Sequence, residues 1–519
     1  MSDDYSIVVF GDGAVSIVTT LHLPRIRVPG LFTENFSCIA HFTQLVLLLN
    51  FFQLHSSTIS RCHNLYMFGD SRKEPGMYFV VVFFICLLLS VNPHASDRLS
   101  IVRDSLKGYS PDSGWKIWNP VMGSDYMNVL EFTDQGFRLK DINGDMYKDY
   151  NSQRAVFIRK PIKPQNYYFQ CRVNGFVPQD QYAQVGLIAW NDQDNYVRNT
   201  VGFLSPAMEG LGEFNGNVHS EGLYYLFPVK HPLSVYLRID VLTHSIRTYA
   251  SFDGEYWLTR GGFTLPAGQN SADFIQGAGI MGVGGEMLAP PLFTDWEEGR
   301  LASYNDDEFT SPATSPVWMR GQTNAGWGSD ECDLFQHDGC LVIKPYSKSD
   351  IYFGYENYPF CAMPAPASKT WELEAKVVSF KGVAEGQYNK AGVVLWQDNR
   401  HFITLSIVTD ARGDRMYFEA LSYGDKGHFF GATHIEGFQP RTVTDLFFRL
   451  GRLSADTYRL RASYDGKTWF ELGTWRNRVP EPQVRLFATR DVFGQYPGKS
   501  DYSVSFDYIK QLTPPGNEQ

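Results

Sequence analysis

Gln181-Tyr-Ala-Gln-Val-Gly-Leu-Ile-Ala-Trp-Asn-Asp-Gln-Asp-Asn-Tyr-Val197 returns further along the chain as Gln387-Tyr-Asn-Lys-Ala-Gly-Val-Val-Leu-Trp-Gln-Asp-Asn-Arg-His-Phe-Ile403. Without a gap, Gln181 matches Gln387, Tyr182 matches Tyr388, Gly186 matches Gly392, Trp190 matches Trp396, Asp192 matches Asp398 and Tyr196 matches Phe402. A stretch repeated at such spacing marks duplicated domains, and so sets the architecture ahead of any secondary-structure reading. In the first copy Gly186, Ile188 and Trp190 fall on one side of an extended chain and Val185, Leu187 and Ala189 on the other, so both sides are largely apolar. That pattern predicts a central strand covered on both sides, or one whose second side lines a ligand cleft.

The correspondence extends in both directions. Asp104-Ser-Leu106 followed by Trp118 opens the first repeat, and Asp307-Glu-Phe309 followed by Trp318 opens the second. Alternating runs come next, Tyr168-Phe-Gln-Cys-Arg-Val173 and Trp371-Glu-Leu-Glu-Ala-Lys-Val377. Alternation at period two predicts strands with one apolar face. Tyr249-Ala-Ser-Phe-Asp-Gly-Glu-Tyr-Trp257 and Arg461-Ala-Ser-Tyr-Asp-Gly-Lys-Thr-Trp469 each place an Asp-Gly turn between strands. No stretch in either repeat sustains helical spacing over a dozen residues. The expectation is an all-β chain with two tandem antiparallel sandwiches, each built of two facing sheets.

At 519 residues the chain exceeds one ordinary core, and two repeats plus a leader account for it. The formal charge of -10 disfavours nucleic acid, which requires a basic stripe. Residues 77–95 form a short apolar run after Arg72 and Lys73, ending at Pro93-His-Ala95, the pattern of a secretory signal peptide starting at Met67 or Met77. Its apolar run is short for a bilayer span, so a membrane enters only through an uncleaved signal anchor. Tyr5 to Val15 resembles the first strand of a small Ras-like GTPase, but Ser16, Ile17 and Val18 stand where the phosphate loop needs Gly-Lys-Ser/Thr, so nucleotide binding is not expected. The expected layout is a non-globular leader over 1–95, repeats at 96–301 and 302–513, and a tail at 514–519, with residues 1 to about 76 disordered or an artefact of the gene model. Cys332 and Cys340 flank the turn pair Asp338-Gly339 and are candidates for a disulfide. Cys171, in an alternating strand, reads as a small core residue.

The Asp-x-Phe/Leu opening, the Tyr-x-x-Ala/Val-Gly strand before Trp and an Asp turn, the Ser-x-Asp-Gly-x-x-Trp hairpin and the final Phe506-Asp-Tyr508 strand together resemble concanavalin A-like jelly-roll domains. The pattern is similar to the C-terminal module of glycoside hydrolase family 43 and to the domain of unknown function 1349; the first copy departs at Phe293-Thr-Asp-Trp296. The resemblance covers both repeats. It implies lectin-like sandwiches whose concave face or edge loops hold carbohydrate, without implying an activity. It also leaves calcium as the one cofactor to consider.

Glycoside hydrolysis needs two carboxylates roughly 5 to 10 Å apart. Glu372 and Glu374 share a strand face and are the candidate pair, with a salt-bridged strand face as the structural alternative. The first copy has Tyr168 and Gln170 there, so at most one repeat could work this way. Tyr388 to Gln397 also resembles a strand of jelly-roll alginate lyases, in which Lys and Gln meet the acidic sugar, but the Arg-rich and Gln-x-His strands of those enzymes are missing. Asp141, Asn143 and Asp145 have oxygen at calcium-loop spacing, although Met146 and Gln153 replace the loop's Gly and Glu. Trp115, Trp327, Tyr224 and Tyr225, near Gly-rich loops, are candidate stacking rings for a sugar. Lys390 and His401 lie at positions the copies do not share and are candidate specificity residues. The expected function is a secreted, non-catalytic carbohydrate-binding protein. The alternatives are a glycoside hydrolase or polysaccharide lyase working through one repeat, and an extracellular structural or protein-interaction module.

Overall fold

The computed structural model describes residues 5–11, 14–21 and most of 102–512. Outside the described residues lie 1–4, 22–101 and 513–519, the interior stretches 107–113, 119–128, 203–206, 226–231, 312–317, 323–331, 382–387, 410–415, 425–428, 439–444 and 491–501, and a few shorter ones. The signal-peptide expectation for 77–95 therefore lies outside them. The chain divides into two units, Met1–Ser96 and Asp97–Gln519. In the former, Tyr5–Gly11 pairs antiparallel with Ala14–Leu21. Ala14–Leu21 is thus a strand where a phosphate loop would lead into a helix.

Asp97–Gln519 is built almost wholly of strands. The first repeat has a seven-stranded front sheet in the order Asn217–Tyr225, Ala207–Phe214, Asn195–Val201, Gln184–Asp192, Gly277–Val283, Val156–Arg159, Trp115–Trp118. Behind it lie Tyr256–Thr264, Ser245–Ser251, Leu233–Val241, Tyr167–Pro178, Leu292–Arg300, Phe137–Leu139 and Leu130–Phe132. The second repeat follows the same order strand for strand. Its front sheet is Phe429–Phe438, Met416–Tyr423, His401–Thr409, Lys390–Asp398, Gln483–Thr489, Pro359–Pro364, Met319–Gln322. Its back sheet is Phe470–Arg476, Thr457–Ser463, Leu446–Arg452, Trp371–Lys381, Ser503–Leu512, Cys340–Pro345, Cys332–His337.

Val185, Leu187 and Ala189 face the back sheet and join the main core with Phe169, Cys171 and Trp296. Val393, Leu395 and Ala391 do the same in the second core. Each fully buried aliphatic or aromatic side chain contributes roughly 1.5 to 3 kcal/mol, so these facing layers supply most of the stabilisation.

Two local devices recur. Asp104 accepts the Leu106 amide at 2.8 Å and the Trp115 indole at 3.1 Å; Asp307 accepts the Phe309 amide at 2.7 Å and the Trp318 indole at 2.6 Å. The clasp holds Leu106 and Phe309 at φ of 56° and 50°, a left-handed backbone unusual for bulky residues. Trp115, rather than Trp118, is thus the counterpart of Trp318. In the hairpins, Asp253 accepts the amides of Glu255 and Tyr256, and Asp465 those of Lys467 and Thr468, while Gly254 and Gly466 take the positive φ that the turn demands.

The repeats are not beads on a linker. Tyr256–Thr264, the edge of the first back sheet, pairs in parallel with Met319–Gln322, the edge of the second front sheet, making one sheet of 16 strands. The sheet curls there until Gly262 meets Asp398: a Cβ on Gly262 would lie 2.7 Å from that of Asp398. Glu481 of the second repeat accepts the amides of Thr243 and His244, both at 2.8 Å, and the Ser245 hydroxyl at 3.1 Å. Arg247 donates to the Glu481 carbonyl and lies over the Trp396 ring.

The expected disulfide is not formed. Cys332 stands opposite Pro345 and Cys340 opposite His337 on one antiparallel hairpin, and both are free thiols. At about 3.4 Å per residue the five intervening steps separate them by roughly 17 Å, far beyond the ~7 Å Cα limit for a bridge.

Candidate functional site

The outward side of each front sheet carries more chemistry than a sandwich needs. In the first repeat, Ile188, Trp190, Tyr196, Leu211, Met281 and Val283 form a small cluster separate from the main core, and Met146 from the hairpin of Met146–Tyr147 and Tyr150–Asn151 covers it. Among these apolar groups the sheet buries Arg198, Glu209 and Glu213, at 3%, 6% and 0% exposure. Arg198 donates to Glu209 at 3.1 Å and to the Met146 carbonyl at 3.2 Å. The Tyr196 hydroxyl lies 2.5 Å from that carbonyl and 2.8 Å from Glu213, which also accepts the Lys148 amide at 3.0 Å. Burial acts to lower the Arg198 pKa, but Glu209, Tyr196 and Asp145 outweigh it and hold the guanidinium charged. Burial pushes the Tyr196 phenol up.

The second repeat builds the same arrangement from other residues. Its covering hairpin is Asp350–Tyr352 with Tyr355–Asn357, placed in the chain order where the first repeat has its own. Lys390 reaches Glu419 at 3.2 Å and Asp350, on the hairpin, at 3.4 Å. Glu419 stands opposite Ser406 and Glu209 opposite Thr200, while Ser406 and Thr200 stand opposite Gly392 and Gly186. The two glutamates are therefore equivalent. Their cations are not: Lys390 occupies the position of Gln184, and Arg198 that of Thr404. Each repeat thus joins a buried glutamate to a cation and the cation to a covering hairpin, with the cation moved to a neighbouring strand. Burial pushes the Asp350 carboxyl up, while Glu419 and Asp350 overcome burial to hold Lys390 charged. Glu213 has Tyr423 as its counterpart, and the hydrogen bond from Tyr196 becomes a Phe402–Tyr423 stack with centroids 5.5 Å apart.

The far end of this second face is sealed by the first repeat. Gln483 donates to the Tyr249 hydroxyl at 2.9 Å, and the Arg485 guanidinium lies 3.7 Å from the Trp396 ring centroid and 4.0 Å from that of Phe360. Arg485 also donates to the Tyr358 hydroxyl at 3.1 Å. At the Lys390–Glu419 end the hairpin lies over the face through Asp350.

Of the described residues singled out from sequence, Lys390 lies in this site and Asp145 beside it, while the others are engaged elsewhere. Glu372 and Glu374 lie on the outward side of the second back sheet. Glu372 pairs with Arg461 at 2.5 Å and Arg459 at 3.4 Å; Glu374 pairs with Arg449 at 2.7 Å and Lys510 at 3.1 Å and accepts the Tyr508 hydroxyl at 2.7 Å. Burial acts to raise the Glu374 pKa, but Tyr508, Arg449 and Lys510 bring it below the ordinary value, opposite to what a general acid needs. Trp115, expected as an exposed ring, is 4% exposed and stacks on Phe157 at 4.5 Å; its indole is committed to the Asp104 clasp. Tyr224 and Tyr225 lie on the edge strand Asn217–Tyr225, opposite Met208 and Ala207. Trp327 lies outside the described residues. His401 turns onto Asp398, 2.8 Å from its carboxylate. Asp141 accepts the Asn143 amide in the turn before the covering hairpin, and Asp145 accepts the Met146 amide of the hairpin itself. Among the described residues no group of three or more His, Cys, Asp or Glu converges as a metal site.

No protein-family model matches the chain, and no curated protein is similar to it. Among solved structures it is similar to a functionally unknown protein from Saccharomyces cerevisiae, with 16% identity, a TM-score of 0.29 and coverage of 37% of this chain and 96% of that one. It is also similar to xylan β-1,4-xylosidase from Bacillus halodurans C-125, with 10% identity, a TM-score of 0.33 and coverage of 73% and 95%. Porphyranase B from Zobellia galactanivorans follows at 13% identity and a TM-score of 0.27, covering 40% and 89%. Likeness at this level says nothing of chemistry.

Proposed function

We propose that the chain is a secreted, non-catalytic carbohydrate-binding protein whose ligand faces are the outward sides of its two front sheets. One observation carries the reading: the equivalent glutamates Glu209 and Glu419 stay buried on those faces, each with a cation, although the core between the sheets is already complete. Buried ion pairs are poor stabilisers beside apolar packing, so repeated ones on a non-core face fit a binding role. A carboxylate beside a cation suits a sugar, whose hydroxyl donates to one and accepts from the other. Binding is favoured over hydrolysis because Glu209, Glu419, Glu372 and Glu374 are each engaged by a cation. Secretion rests on the signal-like pattern of residues 77–95.

The test is a polysaccharide array on protein secreted from the full chain, with a reducing-sugar assay on every hit. The expected result is capture of at least one glycan without sugar release, weakened by Glu209→Gln or Glu419→Gln. Absence of capture refutes the reading, and sugar release turns it toward the enzyme alternative.

A further inference from the structure

We propose that the two covering hairpins are gates over the front faces, each swinging away to admit a sugar ring while the glutamate–cation pair beneath exchanges its hairpin partner for sugar hydroxyls. This rests on the carbohydrate reading above and adds how the ligand enters.

Three observations point to it. First, neither hairpin belongs to the sandwich sheets: Met146–Tyr147 pairs only with Tyr150–Asn151, and Asp350–Tyr352 only with Tyr355–Asn357. Lifting either breaks no rung of a front sheet. Secondly, beside the apolar contacts of Met146 and Ile351, the polar groups that hold the hairpins are the ones that would meet ligand. Arg198, Tyr196 and Glu213 hold Met146 and Lys148, and Lys390 holds Asp350. Thirdly, under the closed hairpins some buried polar atoms have no hydrogen-bond partner among the described residues: Glu213 Oε1, Gln153 Oε1 and Arg198 Nε at the first face, and the hydroxyls of Thr404, Ser406 and Thr489 at the second. Thr404 and Ser406 share the outward side with Gly392 and Val394, and Thr489 stands opposite Lys390. Hydroxyls and carboxylate oxygens closed off in this way are destabilising, and a polyhydroxylated ligand would satisfy them. The same need arises under both hairpins from unrelated residues, so it belongs to the arrangement and not to one side chain.

Asp350→Asn tests the gate in the full chain. It removes the hairpin's charge and leaves the Lys390–Glu419 pair intact. Amides of 350–352 and 355–357 are expected to exchange with deuterium at least about tenfold faster, with no change in Lys390–Asp398 or His401–Thr409. The variant should bind the glycan found on the array about tenfold more tightly, because the closed fraction no longer taxes affinity. Met146→Ala, which trims the first hairpin's buried side chain and leaves Arg198, Tyr196 and Glu213 in place, is the parallel variant, and it decides the matter if Asp350→Asn loosens the whole sheet. Capture of the glycan with unchanged affinity in variants whose hairpin amides have opened overturns the gate alone. Hairpin amides that exchange only with the front strands, in both variants, overturn it as well. Absence of capture by wild type and variants overturns the carbohydrate reading and the gate with it.

Discussion

Glu481→Ala should uncouple the repeats. The Glu481 carboxylate accepts the amides of Thr243 and His244 and the Ser245 hydroxyl. Hydrogen bonds to a charged group contribute about 1.5 to 3 kcal/mol each when shielded from water. Glu481 is half-buried and His244 exposed, so two of the three donors recover water and their share falls to about 0.5 to 1 kcal/mol each. Ser245 is 0% exposed, and its hydroxyl loses this partner at about 1 to 2 kcal/mol. The total comes to about 2 to 4 kcal/mol. The backbone of residue 481 keeps its bonds from Arg247 and to Gln397, which limits the loss. Urea unfolding followed by tryptophan fluorescence reads the effect, since Trp396 lies under Arg247 at the joint. The expected result is a lower midpoint with the transition of the second repeat separating from that of the first. Glu471→Ala, whose carboxylate meets only an exposed Thr474 hydroxyl at 3.3 Å, is the control and should shift stability by less than about 0.5 kcal/mol. An equal, small effect from both substitutions would refute the claim that the joint is held through this carboxylate.

Three further predictions follow from local geometry. Gly262→Ala drives a Cβ to 2.7 Å from that of Asp398 and 2.9 Å from the Gln397 carbonyl oxygen, and should lower stability by about 1 to 3 kcal/mol in the same urea experiment. Hydrogen bonds from the Thr468 and Lys467 amides pull the Asp465 carboxyl down to about 2. With its folded pKa below the ordinary value of about 3.9, its contribution is present above that range and is lost as pH falls through about 2. An NMR titration placing Asp465 at its ordinary value would contradict the turn geometry. Cys332 and Cys340 should both react with a thiol reagent in unfolded protein that has never met reductant; a missing pair would restore the disulfide.

Much of the fold could be read from the chain because duplication displays it twice. The Gln181 and Gln387 stretches became corresponding central strands, and Asp253-Gly254 and Asp465-Gly466 became the same turn. The sites were harder, for physical reasons. Alternation alone cannot say whether the second apolar side of a strand meets a cleft or a covering hairpin, and here Met146 and Ile351 supplied the cover. Trp115 looked like a ring near a Gly-rich loop, yet a side-chain bond to Asp104 draws it into the core. Glu209 and Glu419 were missed because the loops preceding their strands differ in length, so the repeats do not align there without a gap. Their cations come from different strands and could not be paired by comparing copies. The one available signal was Lys390 replacing Gln184 within an otherwise matched strand: a charge entering a buried position requires a partner, and Glu419 is that partner.

The shared sheet gives the chain a direction. A back-sheet edge laid against a front-sheet edge is a head-to-tail contact, the kind that in principle repeats without limit. The receiving residues Glu481, Gln483 and Arg485 stand in strand register with Ile275, Gly277 and Gly279 of the first repeat. Two glycines and an isoleucine offer neither the carboxylate that caps a turn nor the guanidinium that fills the curl. The acceptor half of the joint is thus present once, so the molecule has one repeat that can only give and one that receives, and the duplicated halves are no longer interchangeable.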